Sequence, residues 1–303
     1  MTGVVVDVGK SATRCWSDGV VATAAGLAPD RAGRAGAGRM LAAAIGEAWE
    51  QHPAASTVEA VDVVAIGSTF LPLADELEAA GAELRKLWPT AEISLAEDGI
   101  LAHGYALGRA GVVASVGTGT IVIGIDEAGR VVRVDGWGPD LGDRGSAWQI
   151  GNSGMRAAYR HRDGVTEAAV LAAELTTYLD GPLDLATATR LLGEDDRVRR
   201  IAGFAVPVLA AAADGDATAT TIVARAAAEL VDSIAAAAEQ SGSRSVALVG
   251  GLTADRHWTA VVEGLCAGRR LAVHPAGSLR QFDPGVLLRA PYRAGCAWSS
   301  VPR

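Results

Sequence analysis

This 303-residue chain has few cysteines and no long apolar run. Its three cysteines, Cys15, Cys266 and Cys296, lie far apart, so no CxxC pair, Cys/His ligand cluster or disulfide framework can be read from them. A reducing, cytoplasmic setting is the simplest expectation. MTGVVVDVGK at the N-terminus lacks the basic region and cleavage site of a secretory leader. The longest apolar stretches, such as FAVPVLAAAA (204–213), fall short of the ~20 residues of a membrane span, so no membrane partner is expected. Its 27 basic residues form no cluster and are outnumbered by 35 acidic ones, which argues against a nucleic-acid partner. A Walker loop, GxxxxGK[ST], is absent, and no low-complexity linker divides the chain.

The composition, half apolar and one-fifth charged, can fill one large domain or two ordinary ones. GVVVDVGKSATRCW (3–16) opens with an apolar strand, then a glycine turn and an alternating run. We expect strands over 2–8, 12–17 and 20–25, then a Gly- and Pro-rich loop (26–38) and a helix through Trp49. A strand at 61–67, a helix at 73–88, a strand at 91–96 and a short helix at 98–108 follow. The pattern then restarts. VDVGKSAT (6–13) and ASVGTGTI (114–121) both read strand, Val-Gly, short polar turn, strand, a weak repeat that suggests a duplicated lobe. A third strand follows the Asp126–Gly129 turn. Residues 142–241 read as almost wholly helical, ending at Ser241-Gly242. A strand at 245–252, a helix at 254–267, a strand at 271–275 and a terminal helix at 282–290, with Pro near its start, complete the chain. The restart places a boundary near 105–112. It divides the chain into lobes 1–108 and 109–303, the second larger and carrying a helical insertion, with the terminal helix (284–290) packing back on the first.

Glycine turns follow buried strands after Val8, Val116 and Val249. Each is either a hairpin or close backbone approach, or a set of backbone N–H groups for an anion. Asp7, at the end of an apolar strand, suits a hydrated Mg²⁺ or a capped turn. Asp98 stands at a strand-to-helix junction, as a helix cap beside Glu97 or as a general base. DGWGPDLGDRGSAWQIGNSGMRAAYR (135–160) sets Asp143 between Trp137 and Trp148, an arrangement that suits a sugar or a capped helix start.

DxGxSxTR (7–14), the acid at 98, VGTGT (116–120), GWGPDLGDRGSAWQIG (136–151) and VALVGGL (246–252) together resemble the N-acetylglucosamine kinase and BadF/BadG ATPase-like family. This family is a branch of the sugar kinase–Hsp70–actin superfamily. The resemblance runs from residue 4 to about 290 with the motifs in family order, and the block at 136–151 is the most specific. It implies an α/β fold of two ribonuclease H-like, actin-like ATPase lobes with a nucleotide cleft between them, and ATP and Mg²⁺ as cofactors. Asp7 would hold the metal through water. Gly9, Lys10 and Ser11, with Thr13 beside them, would form one phosphate hairpin, and Gly117, Thr118 and Gly119 the other. Gly250 and Gly251 would meet the adenosine. Asp98 would activate a hydroxyl, expected to be the 6-OH, of an amino sugar such as N-acetylglucosamine or glucosamine. Asp143 would bind that sugar, with Ser68, Gly136 and Trp137 as further contacts. A homodimer is implied by the resemblance only.

The sequence departs from the family pattern at several points. Lys10 stands where the family often has glycine. Arg144 replaces an acidic residue in GDRGS, which admits an acidic or differently substituted sugar. The loop LAPDRAGRAG lacks the usual sugar-binding asparagine; Asp30 and Arg31 stand nearby. Two rival readings remain open: a non-catalytic sugar or nucleotide sensor on the same fold, and a BadF-type ATPase activator. The activator role uses a cysteine-held iron–sulfur cluster, which the scattered cysteines do not suggest.

Overall fold

The computed structural model describes residues 2–9, 12–27, 36–56, 61–69 and 71–300. Lys10, Ser11, Asp30 and Arg31, singled out above, lie outside the described residues. The chain builds two sheets. In the first, β1 (Gly3–Val8), β2 (Ala12–Ser17) and β3 (Val20–Ala25) form a meander, and β4 (Val63–Ser68) and β5 (Glu92–Glu97) run parallel to β1. The helices α1 (Ala37–Glu50), α2 (Ala74–Leu87) and α3 (Asp98–Leu107) connect and follow these strands.

The second sheet begins the same way, with β6 (Gly111–Val116), β7 (Thr120–Ile125) and β8 (Val131–Asp135). Six helices follow: α4 (Ala147–Arg162), α5 (Ala169–Leu179), α6 (Leu185–Leu192), α7 (Arg197–Gly203), α8 (Ala205–Ala213) and α9 (Ala217–Ser241). The chain then returns as β9 (Ser245–Val249), parallel to β6, and after α10 (Arg256–Gly268) as β10 (Ala272–His274), parallel to β9. A short β11 (Trp298–Ser300) goes back to the first sheet and pairs antiparallel with β5. The orders are β11-β5-β4-β1-β2-β3 and β10-β9-β6-β7-β8.

These elements follow from local chemistry. β4 (VVAIGS) is buried at every position, as expected of a parallel strand covered on both faces. Its Gly67 lets α3 approach, since a Cβ there would stand 2.6 Å from Leu101. α9 is Ala-rich; the Asp216 side chain caps its start by accepting from the Ala219 N–H at 2.8 Å, and Gly242 ends it at φ 67°.

The helix α3 lies between the two sheets. It packs on β4 from one and on β6, β7 and β9 from the other. A core of Val5, Ala65, Ile100, Leu101, Ile123 and Leu287 runs across this junction. His103 pins it. Its Nε2 lies 2.9 Å from the Gly111 carbonyl, which can only accept, so Nε2 carries the proton and Nδ1 accepts from the Tyr292 hydroxyl, also at 2.9 Å. Burial pushes the imidazole down to about 4 and keeps it neutral.

Two expectations need correction, and one element had no expectation. The segment 282–290 is not an α-helix. It makes a 3₁₀ turn over Pro284–Leu288, with Pro284 at its first position and the residue before Pro291 biased to extended backbone. This turn packs on β1, β4 and β5. The strand expected over 245–252 ends at Val249, because Gly250 takes φ 103° and turns the chain into a 3₁₀ segment, Gly251–Ala254. β11 was not foreseen; three residues are too few to show alternation. Among the described residues, no helix is long and apolar enough to cross a membrane.

Candidate functional site

The parallel strands of the two sheets end in loops that carry the residues of interest. In the first sheet, β1, β4 and β5 finish side by side: Val8 pairs with Ser68 and Ser68 with Glu97. Ligands in open α/β sheets bind outside such carboxyl ends. Asp7 points out from the penultimate position of β1. Arg14, its cross-strand partner, approaches it only to 3.9 Å. Burial first, and then the charge of Asp98, push the Asp7 carboxyl up to about 6, with Arg14 pulling the other way. Asp98 is the first residue of α3, not its cap. Its Oδ1 accepts the Gly99 N–H at 2.7 Å, and its second oxygen has no hydrogen-bond partner among the described residues. Two carboxyl groups therefore sit within electrostatic reach of one another.

Tyr105, two helical turns beyond Asp98, was missed from sequence. Its phenol is pushed up to about 12, by burial first and then by the charges of Asp7 and Asp98. The i, i+7 spacing on α3 was the available signal.

The remaining first-sheet candidates divide. The Gly9 N–H closes the first turn onto the Ala12 carbonyl at 3.0 Å, and the Gly9 carbonyl accepts from Leu27. Thr13 is fully buried and its hydroxyl donates to the Ala25 carbonyl at 3.0 Å, tying β2 to β3. Ser68 is also fully buried, at the strand end beside Val8 and Glu97. Thr69 donates both its N–H and its hydroxyl to the Val8 carbonyl, tying the β1 and β4 ends together.

In the second sheet the turn Gly117-Thr118-Gly119 is braced from below. The first amides of α4, from Ala147 and Trp148, donate to the Gly117 and Thr118 carbonyls at 2.9 and 3.1 Å. Asp143 is buried beneath this turn. Its Oδ1 accepts the Thr120 N–H at 3.1 Å, and a Cβ on Gly119 would stand 2.8 Å from its carboxylate. The carboxyl thus supports the hairpin, and the helix itself is capped by Ser146, whose hydroxyl accepts from Gln149. A Cβ on Gly117 or Gly251 would meet only open space, whereas one on Gly250 would collide with the Val116 carbonyl. Gly250 therefore joins the ends of β6 and β9, while Gly117 and Gly251 leave room for a ligand.

Asp135, which sequence reasoning also passed over, folds the loop that follows β8. It is buried, takes φ 64°, and accepts the N–H groups of Gly136 and Asp143 on Oδ1 and of Arg144 on Oδ2, all within 2.7–2.8 Å. The loop presents Trp137, 65% exposed. Arg144 points at Glu229 on α9, 3.8 Å away. A cavity of about 550 Å³ opens beside the second turn, lined by Thr118, Ala147, Tyr178, Asp196 and Arg199.

With this geometry in place, comparison with known proteins decides the family. The signature of the BadF/BadG/BcrA/BcrD ATPase family matches residues 4–277. The chain belongs to that family. Over 71 residues the chain is 35% identical to an N-acetylmuramic acid/N-acetylglucosamine kinase of Clostridium acetobutylicum, covering 23% of each chain. A further 55-residue match is 46% identical to an N-acetyl-D-glucosamine kinase of Dictyostelium discoideum, over 18% of this chain and 17% of that one. The matched stretch thus spans a quarter or less of the length of these curated relatives. A solved structure of an N-acetylglucosamine kinase candidate from Chromobacterium violaceum is 23% identical, with 95% of this chain and 98% of that one covered and a TM-score of 0.68. It shares the fold, that of the actin-like ATPases and sugar kinases.

Proposed function

We propose that this member of the BadF/BadG/BcrA/BcrD ATPase family is an ATP-dependent kinase that phosphorylates a hydroxyl, the 6-OH, of an amino sugar such as N-acetylglucosamine or glucosamine. The observation that carries this reading is the electrostatic coupling of Asp98 to Asp7 at the carboxyl ends of β5 and β1, on either side of β4, together with the open space at Gly117 and Gly251 in the second sheet.

The residues fit a metal–nucleotide. An acid raised to about 6 by burial and by a second acid is relieved when a cation arrives. Asp7 would hold Mg²⁺ through water, and the bound metal would neutralise charge on the phosphates of ATP. The backbone at Gly9 and at Gly117–Gly119 would approach those phosphates, and Gly251 and the cavity beside Thr118 would receive the base and ribose. Asp98, its Oδ1 fixed by the Gly99 N–H, orients its other oxygen to take the proton of the sugar hydroxyl. Trp137 covers an apolar face of the sugar, and Asp143 acts on the sugar through the turn it supports. We also propose two lobes divided near 108/109, with the segment after residue 279 packed on the first. A homodimer and a cytoplasmic location belong to the same reading.

The three cysteines support the kinase over the activator: Cys15 lies in the first sheet's core, Cys266 in the second's, and Cys296 beside the junction. A screen of ADP release with Mg²⁺–ATP and glucosamine, N-acetylglucosamine, N-acetylmannosamine, N-acetylmuramic acid and glucose tests the reading. Turnover with one amino sugar is expected. ATP binding with silence across the panel would transfer the assignment to a sensor.

A further inference from the structure

We propose that Arg133 is a positioning residue that latches the two sheets together across the mouth of the site, with Glu97 as its anchor. Arg133 stands on β8 of the second sheet and is the cross-strand partner of Ile123. Its Nη1 donates to Glu97 Oε2 at 3.2 Å, at the end of β5 in the first sheet. Its Nη2 donates to the Gly136 carbonyl at 3.0 Å, and its guanidinium lies 5.7 Å from the centre of the Trp137 ring. One side chain therefore ties the residue next to Asp98 to the loop that presents the exposed tryptophan.

Arg133 can do this because a guanidinium is a rigid fork. It satisfies a carboxylate and a carbonyl at once and still offers a face to an aromatic ring. A lysine carries its three donors on one nitrogen, without the planar fork that reaches both acceptors and presents a flat face to the ring. The latch also spans a crevice instead of resting on solid protein. Glu97 and Arg133 line a cavity of about 640 Å³ with Leu71, Ile100, Ile123 and Val131, drawn from both sheets. The apolar core beneath the crevice holds the two sheets together, and the pair adds a tie at its rim between the β5 end and the Trp137 loop. Each side chain is 39% exposed, so the ion pair alone is worth little. Its effect comes from fixing two loops relative to each other, and this is where small displacements cost turnover.

The role in catalysis rests on the kinase reading; the latch itself does not, and the experiment separates them. Arg133→Ala, Arg133→Lys and Glu97→Gln are compared with the parent for sugar KM, kcat, sugar-independent ADP release, melting temperature, solution X-ray scattering and hydrogen exchange over 97–101 and 135–138. Arg133→Ala is expected to raise the sugar KM on the order of tenfold, the scale of one fork-and-ring contact, with a smaller loss in kcat. It should also increase sugar-independent ADP release, enlarge the radius of gyration and speed exchange in both segments, at a near-constant melting temperature. Glu97→Gln should follow it in the same direction, and Arg133→Lys should fall between. Unchanged KM, scattering and exchange in Arg133→Ala would overturn the latch. So would a silent Glu97→Gln beside an affected Arg133→Ala, since the anchor would then lie elsewhere. If the parent phosphorylates no sugar, the kinase reading fails, and scattering and exchange alone decide the latch.

Discussion

The two sheets begin with the same hairpin but equip it differently. In β1, Asp7 stands two residues before Gly9; in β6, the equivalent place before Gly117 is Ser115. Asp7 lies opposite Arg14, Ser115 opposite Ile121. The first turn is held by its own backbone and by Leu27. The second has the α4 N-terminus beneath it and a buried carboxylate at its edge. One copy of the motif carries the charge, and the other is braced to stay rigid. A duplicated unit can divide the work this way because the hairpin register tolerates any residue at the position before the turn, provided its environment supplies a partner.

The sharpest way to break the comparison is at the acids of the first sheet, which have no counterpart in the second. Asp98→Asn should leave ATP binding intact and lower turnover at least ~100-fold, the scale of a lost general base; ADP release at saturating ATP measures it. Asp7→Asn should also abolish most metal-dependent turnover, yet stabilise the ligand-free protein. The folded pKa of Asp7 is raised from 3.8 to about 6. Its stabilising contribution is therefore full below pH 3.8 and is lost as pH rises through 6. The Asn variant should be more stable than the parent above pH 6, by up to ~3 kcal/mol, and melt higher, with the gap closing toward pH 4. Melting curves across that window test the sign, and a lower melting temperature at pH 7 would refute it.

The second sheet offers smaller effects. Gly250→Ala meets the Val116 carbonyl at φ 103° and should cost roughly 2 kcal/mol of stability or more. The neighbouring Gly251→Ala meets open space and should leave stability within about 0.5 kcal/mol while weakening ATP binding. Chemical denaturation beside nucleotide titration separates the pair. Asp143→Ala removes a buried acceptor from the Thr120 N–H and should cost about 1–3 kcal/mol. If Asp143 acts through the turn, ATP affinity falls with it; if it touches sugar alone, only the sugar KM moves.

Much of this was legible beforehand. β2 and β3 match their expected bounds, and the first-sheet helices fall within two residues, because apolar periodicity and glycine punctuation are local signals. Asp7 and Asp98 were legible as acids at strand ends. Asp135 was not: a single aspartate among several in a Gly-rich loop shows nothing of the three N–H groups it gathers, one of them nine residues away. Arg133 was missed for the same reason. Its meaning comes from what lies opposite, on the other sheet.

The sequence by itself determined most of the elements up to α10, their order and the chemical types available at each strand end, since these depend on neighbours a few residues away. Only the tertiary structure decided how those types are used. It turned Thr13 into the core, put Asp143 beneath a backbone turn, returned residues 298–300 to the first sheet and set Arg133 across the crevice onto Glu97. Each of these depends on a partner between 12 and about 200 residues distant, and no local pattern carries that information.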